Sequence, residues 1–158
     1  MRKLILLLCA LLWPCLAMAG LDEAVAAYNR GDVKTAAMEF QQLAKRGNAH
    51  AQFYLGVICY QGQGVSQDFK AAAEWFRKAA DQGYPDAQSR LGLSYYKGQG
   101  VPQDYVQAHQ WLSLAVVSGD KNAIKLRDFV AAKMSADQIK EAQRLAQEWS
   151  ARNTGRKP

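Results

Sequence analysis

A stretch of 36 residues, AQFYLGVICYQGQGVSQDFKAAAEWFRKAADQGYPD from Ala51 to Asp86, returns without a gap as AQSRLGLSYYKGQGVPQDYVQAHQWLSLAVVSGD from Ala87 to Asp120. Ala51 and Ala87, Gly56 and Gly92, Asp68 and Asp104, Trp75 and Trp111, and Gly83 and Gly119 all stand 36 apart. So many coincidences at one offset mark a duplicated structural unit. A period between about 20 and about 50 residues marks a stacked array. One such unit cannot bury both its faces, so stability must come from stacking.

Each unit reads as two helices. Ala51, Leu55, Ile58 and Cys59 fall on one helical stripe. The GQG turn then breaks the helix at Gly62 and Gly64, since glycine reaches positive φ without a Cβ clash. Asp68 reads as the N-cap of the second helix, where its charge suits the helix N-terminus. Ala72, Trp75, Phe76, Ala79 and Gly83 form the next stripe. In the second copy Pro102 precedes the corresponding helix, where a missing N–H costs little. Gly56 and Gly92 sit inside first helices, where glycine costs roughly 1 kcal/mol against alanine. Their repetition implies two helices packed too closely for a side chain. Each Trp is expected to fill the gap between its own hairpin and the next.

The string A-x-x-x-L-G-x-x-x-x-x-G-x-G-V-x-x-D-x-x-x-A-x-x-W-x-x-x-A-x-x-x-G resembles the Sel1-like repeat, a relative of the tetratricopeptide repeat. The resemblance implies one antiparallel helix hairpin per unit, stacked into a right-handed superhelix that binds other proteins. The copies differ where Cys59 faces Tyr95 and where Lys70 faces Val106. Sel1-like proteins with stapled repeats carry two cysteines per unit, and that subgroup has been associated with binding β-lactams. This chain lacks those pairs, which weighs against an enzyme.

Residues 1–19 read as a secretory signal peptide: Arg2 and Lys3, an apolar run from Leu4 to Leu16, then Ala17-Met18-Ala19 before Gly20. The run is short of the about 20 residues that span a membrane, and cleavage near Ala19 leaves no integral span. The expected location is periplasmic or secreted, in a bacterium. One repeat domain follows over 20–150. Residues 21–50 form a worn first repeat, in which Asp32, Ala36 and Phe40 precede Asp68, Ala72 and Phe76 by 36. There the loop shrinks to Asn29-Arg30-Gly31, and Glu39 replaces the Trp, as suits a terminal repeat. Units at 51–86 and 87–122 are followed by a C-terminal capping hairpin at 123–150. In it Ser135 and Gln138 have the spacing of a capping box. Ile139, Ala142, Leu145, Ala146 and Trp149 then line one face, and residues 151–158 form a flexible basic tail. The fold class is all-α, an α-solenoid of about eight helices with no strands.

Little in this pattern points to catalysis. The GQGV loops lack the third glycine and the preceding strand of a dinucleotide fingerprint. His50 and His109 lie in different repeats, with no ligand at zinc spacing. Asp68 and Asp104 recur as caps rather than as an acid–base pair. No catalytic residue, metal or cofactor is expected. Without the leader, 18 Lys and Arg face 14 Asp and Glu, an excess of 4 interspersed along the chain. That is too mild and too mixed for nucleic acid, and export also argues against it. Cys59 is then the one remaining cysteine. It reads as a small core hydrophobe, with an intermolecular disulfide as the alternative.

The expected function is an exported scaffold or adaptor that holds a protein or peptide in the concave groove. The alternative is an envelope protein that binds cell-wall or polysaccharide material, or weakly hydrolyses it. Homodimerisation stays open. Candidate contacts are positions that differ between copies and point outward: Tyr54 against Arg90, and Lys97 against Gln61, with Tyr60 and Tyr96 at the helix ends. Tyrosine and arginine are enriched at binding hot spots. The same residues could instead be plain surface, or pack between hairpins.

Overall fold

The caps come first, because they set where each helix begins. Asp68 accepts the Ala71 N–H at 2.9 Å and Asp104 accepts the Gln107 N–H at 3.0 Å. Asp32 does the same for Thr35 at 3.2 Å and Asn48 for Ala51 at 2.9 Å. Each bond satisfies one of the N–H groups that a helix start leaves without a partner. Asp104→Ala is expected to cost about 1 kcal/mol, read as a lower denaturant midpoint at unchanged slope.

The structure, a computed structural model, describes residues 20–153. Helix α1 covers 20–29 of these. It is followed by α2 (Val33–Lys45), α3 (Ala49–Gln61), α4 (Phe69–Ala80), α5 (Pro85–Lys97), α6 (Tyr105–Val117), α7 (Ala123–Ala131) and α8 (Ala136–Asn153). Among the described residues there is no strand. The expected all-α solenoid of about eight helices is the fold observed. The signal-peptide reading of residues 1–19 lies outside the described residues. Helix α8 continues to Asn153, three residues into the stretch expected to fray.

The inner units begin two residues ahead of the expected starts, at Ala49 and Pro85. Asn48 caps α3, and Pro85 opens α5, where a proline N1 position has no N–H to lose. Both first helices end on a left-handed glycine with the same backbone, φ 66° and ψ 33° at Gly62 and at Gly98. The turn that follows is repeated bond for bond. Gln67 Nε2 donates to the Tyr60 carbonyl at 2.8 Å and Gln103 Nε2 to the Tyr96 carbonyl at 2.9 Å. In the capping hairpin, the Ser135 hydroxyl accepts the Gln138 N–H at 3.2 Å, and Gln138 Oε1 accepts the Ser135 N–H at 2.8 Å.

Three apolar clusters lie between the helices. The first joins α1, α2 and α3 through Ala24, Ala36, Phe40, Leu55 and Ile58. The second runs from Val57 through Ala72, Phe76, Ala87 and Leu91 to Trp111 and Leu114. Ala108, Leu112, Ala115, Ala123 and Val130 form the third, against α7. The expectation that each Trp faces the next hairpin holds for Trp111 and not for Trp75. Trp75 packs onto the first cluster, and Trp111 is buried in the second, so each reaches back to the hairpin before its own. The following side of Trp111 is met by Trp149 of α8, edge to face at 6.1 Å between centroids.

A glutamine seam joins successive units. Gln52 Nε2 donates to the Ala44 carbonyl and Gln88 Nε2 to the Ala80 carbonyl, both at 3.3 Å. Gln82 also donates to Gln52 Oε1 at 2.8 Å, whereas Gln88 Oε1 is buried with no partner among the described residues. The residue 36 past Gln82 is Ser118, whose side chain is too short to serve the second seam in the same way. Ser118→Gln is expected to raise stability by about 1 kcal/mol, the net worth of one such bond, seen as a higher melting temperature.

Candidate partner-binding face

Along the first helices one stripe changes from unit to unit. Tyr54, Arg90 and Leu126 stand 36 apart, as do Val57, Leu93 and Phe129, and Gln61, Lys97 and Lys133. The residues that repeat, such as Ala51, Ala87 and Ala123, are buried in the seams. Along the first helices the units are alike where they pack and differ along this stripe, whose members are half-buried or exposed apart from Val57, a member of the second apolar cluster.

The expected contact residues occupy distinct settings. Tyr54 is half-buried, with its ring stacked on Phe40 at 4.7 Å and its edge toward Tyr28 at 5.3 Å. Tyr60 sets its ring against Phe69 at 5.2 Å and donates its hydroxyl to Gln99 Oε1 of the next unit at 3.2 Å. Tyr96 likewise meets Tyr105 at 5.9 Å and Phe129 of α7 at 5.6 Å. The Tyr60 ring thus packs within its own hairpin and reaches the next through its hydroxyl, whereas the Tyr96 ring packs both on its own hairpin and on α7. Lys97 is exposed and Arg90 half-buried, and neither joins any of the ion pairs of the described residues, which lie on α7 and α8.

Arg90 lines a cavity of about 140 Å³ between α5 and α7, together with Ser89, Leu93, Asp120, Asn122, Ala123 and Leu126. Its charge also reaches Tyr28, whose hydroxyl pKa is raised by burial and by Tyr54 and opposed by Arg90. Tyr84, edge to face with His50 at 4.6 Å, is pushed up to about 12, first by burial and then by Asp86 and Tyr54. These phenols remain neutral hydrogen-bonding groups at physiological pH. Sequence reasoning missed three residues of this stripe: Leu93 and Leu126, which are half-buried, and Phe129, which is exposed. A signal existed for Leu126, which lies one period beyond the variable pair Tyr54 and Arg90.

Elsewhere the side chains offer little to chemistry. A second cavity of about 310 Å³ is lined by Gln103, Asp104, Tyr105 and Gln138, and its one carboxylate is the α6 cap. Among the described residues no three His, Cys, Asp or Glu side chains gather as a metal site would require. Cys59 is half-buried and free. Burial, and then Asp68, raises its thiol pKa, which keeps it in the less reactive protonated form.

His109 is 5% exposed on α6, 3.4 Å from the Ser113 hydroxyl. Burial, then Arg127, lowers its pKa below the ordinary 6.5, against an opposing pull from Asp128. The unfolded chain therefore binds this proton more readily than the folded one, so His109 favours folding above the unfolded pKa. That contribution is lost as pH falls through the lower, folded value. The melting temperature is expected to drop between about pH 7 and about pH 5, less steeply in His109→Gln. Thermal scans across this range read the difference.

The Sel1 repeat family pattern matches residues 49–84 and 85–120, the two inner hairpins. A protective antigen of uropathogenic Escherichia coli strains, described as displaying an SLR fold, is 34% identical with a TM-score of 0.81. The match covers 90% of this chain and 33% of that one, so the chain spans about a third of the antigen's length. Cysteine rich protein B of Helicobacter pylori, 18% identical with a TM-score of 0.58 over 70% of this chain and 93% of its own, shares the fold alone. No curated protein matches the chain. The Sel1 repeat protein of Oxalobacter formigenes is 30% identical, covers 71% of this chain and 87% of its own, and superposes with a TM-score of 0.64. With two complete repeat units and this relative matched along most of its length, the chain belongs to the Sel1 repeat family.

Proposed function

We propose that the protein is an exported, non-catalytic scaffold that binds a protein or peptide along its first-helix face, in the periplasm or outside the cell. Sel1 repeats commonly mediate protein–protein interaction. One observation carries the reading: along the first helices, side chains that vary between units line one half-buried to exposed stripe, apart from the buried Val57, while the repeated Ala51, Ala87 and Ala123 are buried between hairpins. Solenoid curvature makes such a face an extended concave surface. Export is supported by the basic, apolar and small-residue succession of residues 1–19. No helix among the described residues is long and apolar enough to cross a membrane.

Tyr54, Arg90 and Lys97 are the proposed partner contacts, with Tyr60 and Tyr96 supporting them from the seams. Pull-down from envelope extract with the chain lacking residues 1–19 tests the reading, beside a Tyr54→Ala/Arg90→Ala/Lys97→Ala variant shown to be equally folded. Capture of one defined protein, lost in the variant, is the expected result. Capture indifferent to the variant moves the site off this face.

A further inference from the structure

We infer that the α5–α7 half of this face docks an acidic peptide segment bearing a large apolar side chain, with Arg90 receiving its carboxylate. The inference rests on the interaction-surface reading and names the chemistry of the partner.

Charge is the first support. Arg90, Lys97, Lys125 and Lys133 all belong to the face of α5 and α7. The neighbouring acids are mostly engaged. Asp120 accepts the Ser89 hydroxyl, and also the Asn122 N–H at 2.8 Å. Asp128 is paired with Arg127 at 2.8 Å. Asp86 stands in the first turn of α5, a favourable place for a negative charge. Arg90 has no carboxylate within ion-pair distance among the described residues, although it lines a cavity walled by Leu93 and Leu126, where Asp120 is held to Ser89 and Asn122. A guanidinium beside apolar walls offers a carboxylate two parallel hydrogen bonds at a lower local dielectric than water.

The apolar half is Phe129, 51% exposed, with Leu93 beside the cavity. Leu93 belongs to none of the three core clusters. Lys133 Nζ lies 5.0 Å from the Phe129 ring centroid, and Tyr96 braces that ring from the other helix. A cation beside an exposed aromatic suits a segment in which acidic and apolar residues alternate. The cavity of about 140 Å³ admits a side chain, whereas a nucleic-acid backbone would bring nothing apolar to Phe129.

The test is selection of random dodecapeptides displayed on phage against the full chain, followed by fluorescence anisotropy of individual selected peptides. Peptides enriched in Asp and Glu together with Leu or Phe are expected. Their binding should weaken with salt and fall roughly tenfold or more in Arg90→Gln. Arg90→Lys should restore it in part, and Phe129→Ser should weaken it independently. Selected peptides without an acidic excess, or acidic ones that bind Arg90→Gln unchanged, overturn the inference. If such peptides are still lost in the Tyr54→Ala/Arg90→Ala/Lys97→Ala variant, the interaction face stands and only its acidic chemistry falls. Peptides that ignore this variant overturn both. Binding to phosphatidylglycerol vesicles with no peptide selected assigns the cations to lipid and overturns the peptide.

Discussion

Gly92→Leu is expected to abolish the cooperative unfolding transition, leaving a protein that expresses poorly and melts broadly. A Cβ at this position would lie 2.7 Å from Leu112 Cγ and 3.1 Å from the carbonyl oxygen of Ala108. Leu112 is fully buried and the carbonyl belongs to α6 itself, so neither can yield without separating the hairpin. Overpacking by a few atoms costs about 1–3 kcal/mol where the core can adjust, and a leucine here adds four carbons against a helix backbone. The gain in helix propensity, roughly 1 kcal/mol, does not offset this. Gly92→Ala is the graded case, a net loss expected to lower the melting temperature by several degrees. At Gly56 the obstacle is the Phe76 ring, at 2.5 Å and 2.6 Å from the added Cβ. A ring can tilt where a backbone cannot, so Gly56→Ala should be milder than Gly92→Ala. Far-UV circular dichroism during heating checks the series. A Gly92→Leu protein melting like the parent would remove the close-approach argument.

Trp111→Ala is expected to cost about 3–5 kcal/mol, the range for removing a large buried aromatic. Trp111 is 3% exposed, lies in the cluster shared by α3, α4 and α5, and meets Trp149 of the last helix. Its loss opens a seam on both sides. Trp75→Ala should cost clearly less, because Trp75 is half-buried and touches the first cluster from its rim, with Lys78 Nζ 4.0 Å over its ring. Chemical denaturation of the two variants gives the order. Equal losses would mean that the capping helix adds nothing through Trp149.

The two tryptophans also show what a sequence can and cannot say here. Their spacing placed them on a buried stripe correctly, but a stripe has no direction along the stack. Which neighbour they touch follows from how the hairpins lean, and that emerges only in packing. The caps were readable because an aspartate three residues before an N–H is a purely local bond, made alike at Asp68 and Asp104. Gly56 and Gly92 were readable for a different reason: an unfavourable helix residue kept in two copies must answer to a contact. Tyr60 and Tyr96 were harder, since a tyrosine serves equally well at a seam or at a surface, and here the seams take the Tyr96 ring and the Tyr60 hydroxyl. Phe129 was hidden because the fourth unit replaces the GQGV loop with a short Met134-Ser135 turn, and the repeat fades from view just where its side chain becomes exposed.

The turn geometry at Gly62 and Gly98, and the seam bonds of Gln52 and Gln88, are the same from one hairpin to the next. A joint that looks the same on both sides has no fixed place in a series. Length is then a quantity this architecture can change in whole steps of 36 residues, with each added or removed hairpin meeting a surface already shaped to receive it. What such a change would alter is reach: the number of outward side chains a partner meets in a row, and with it how long a segment can be read.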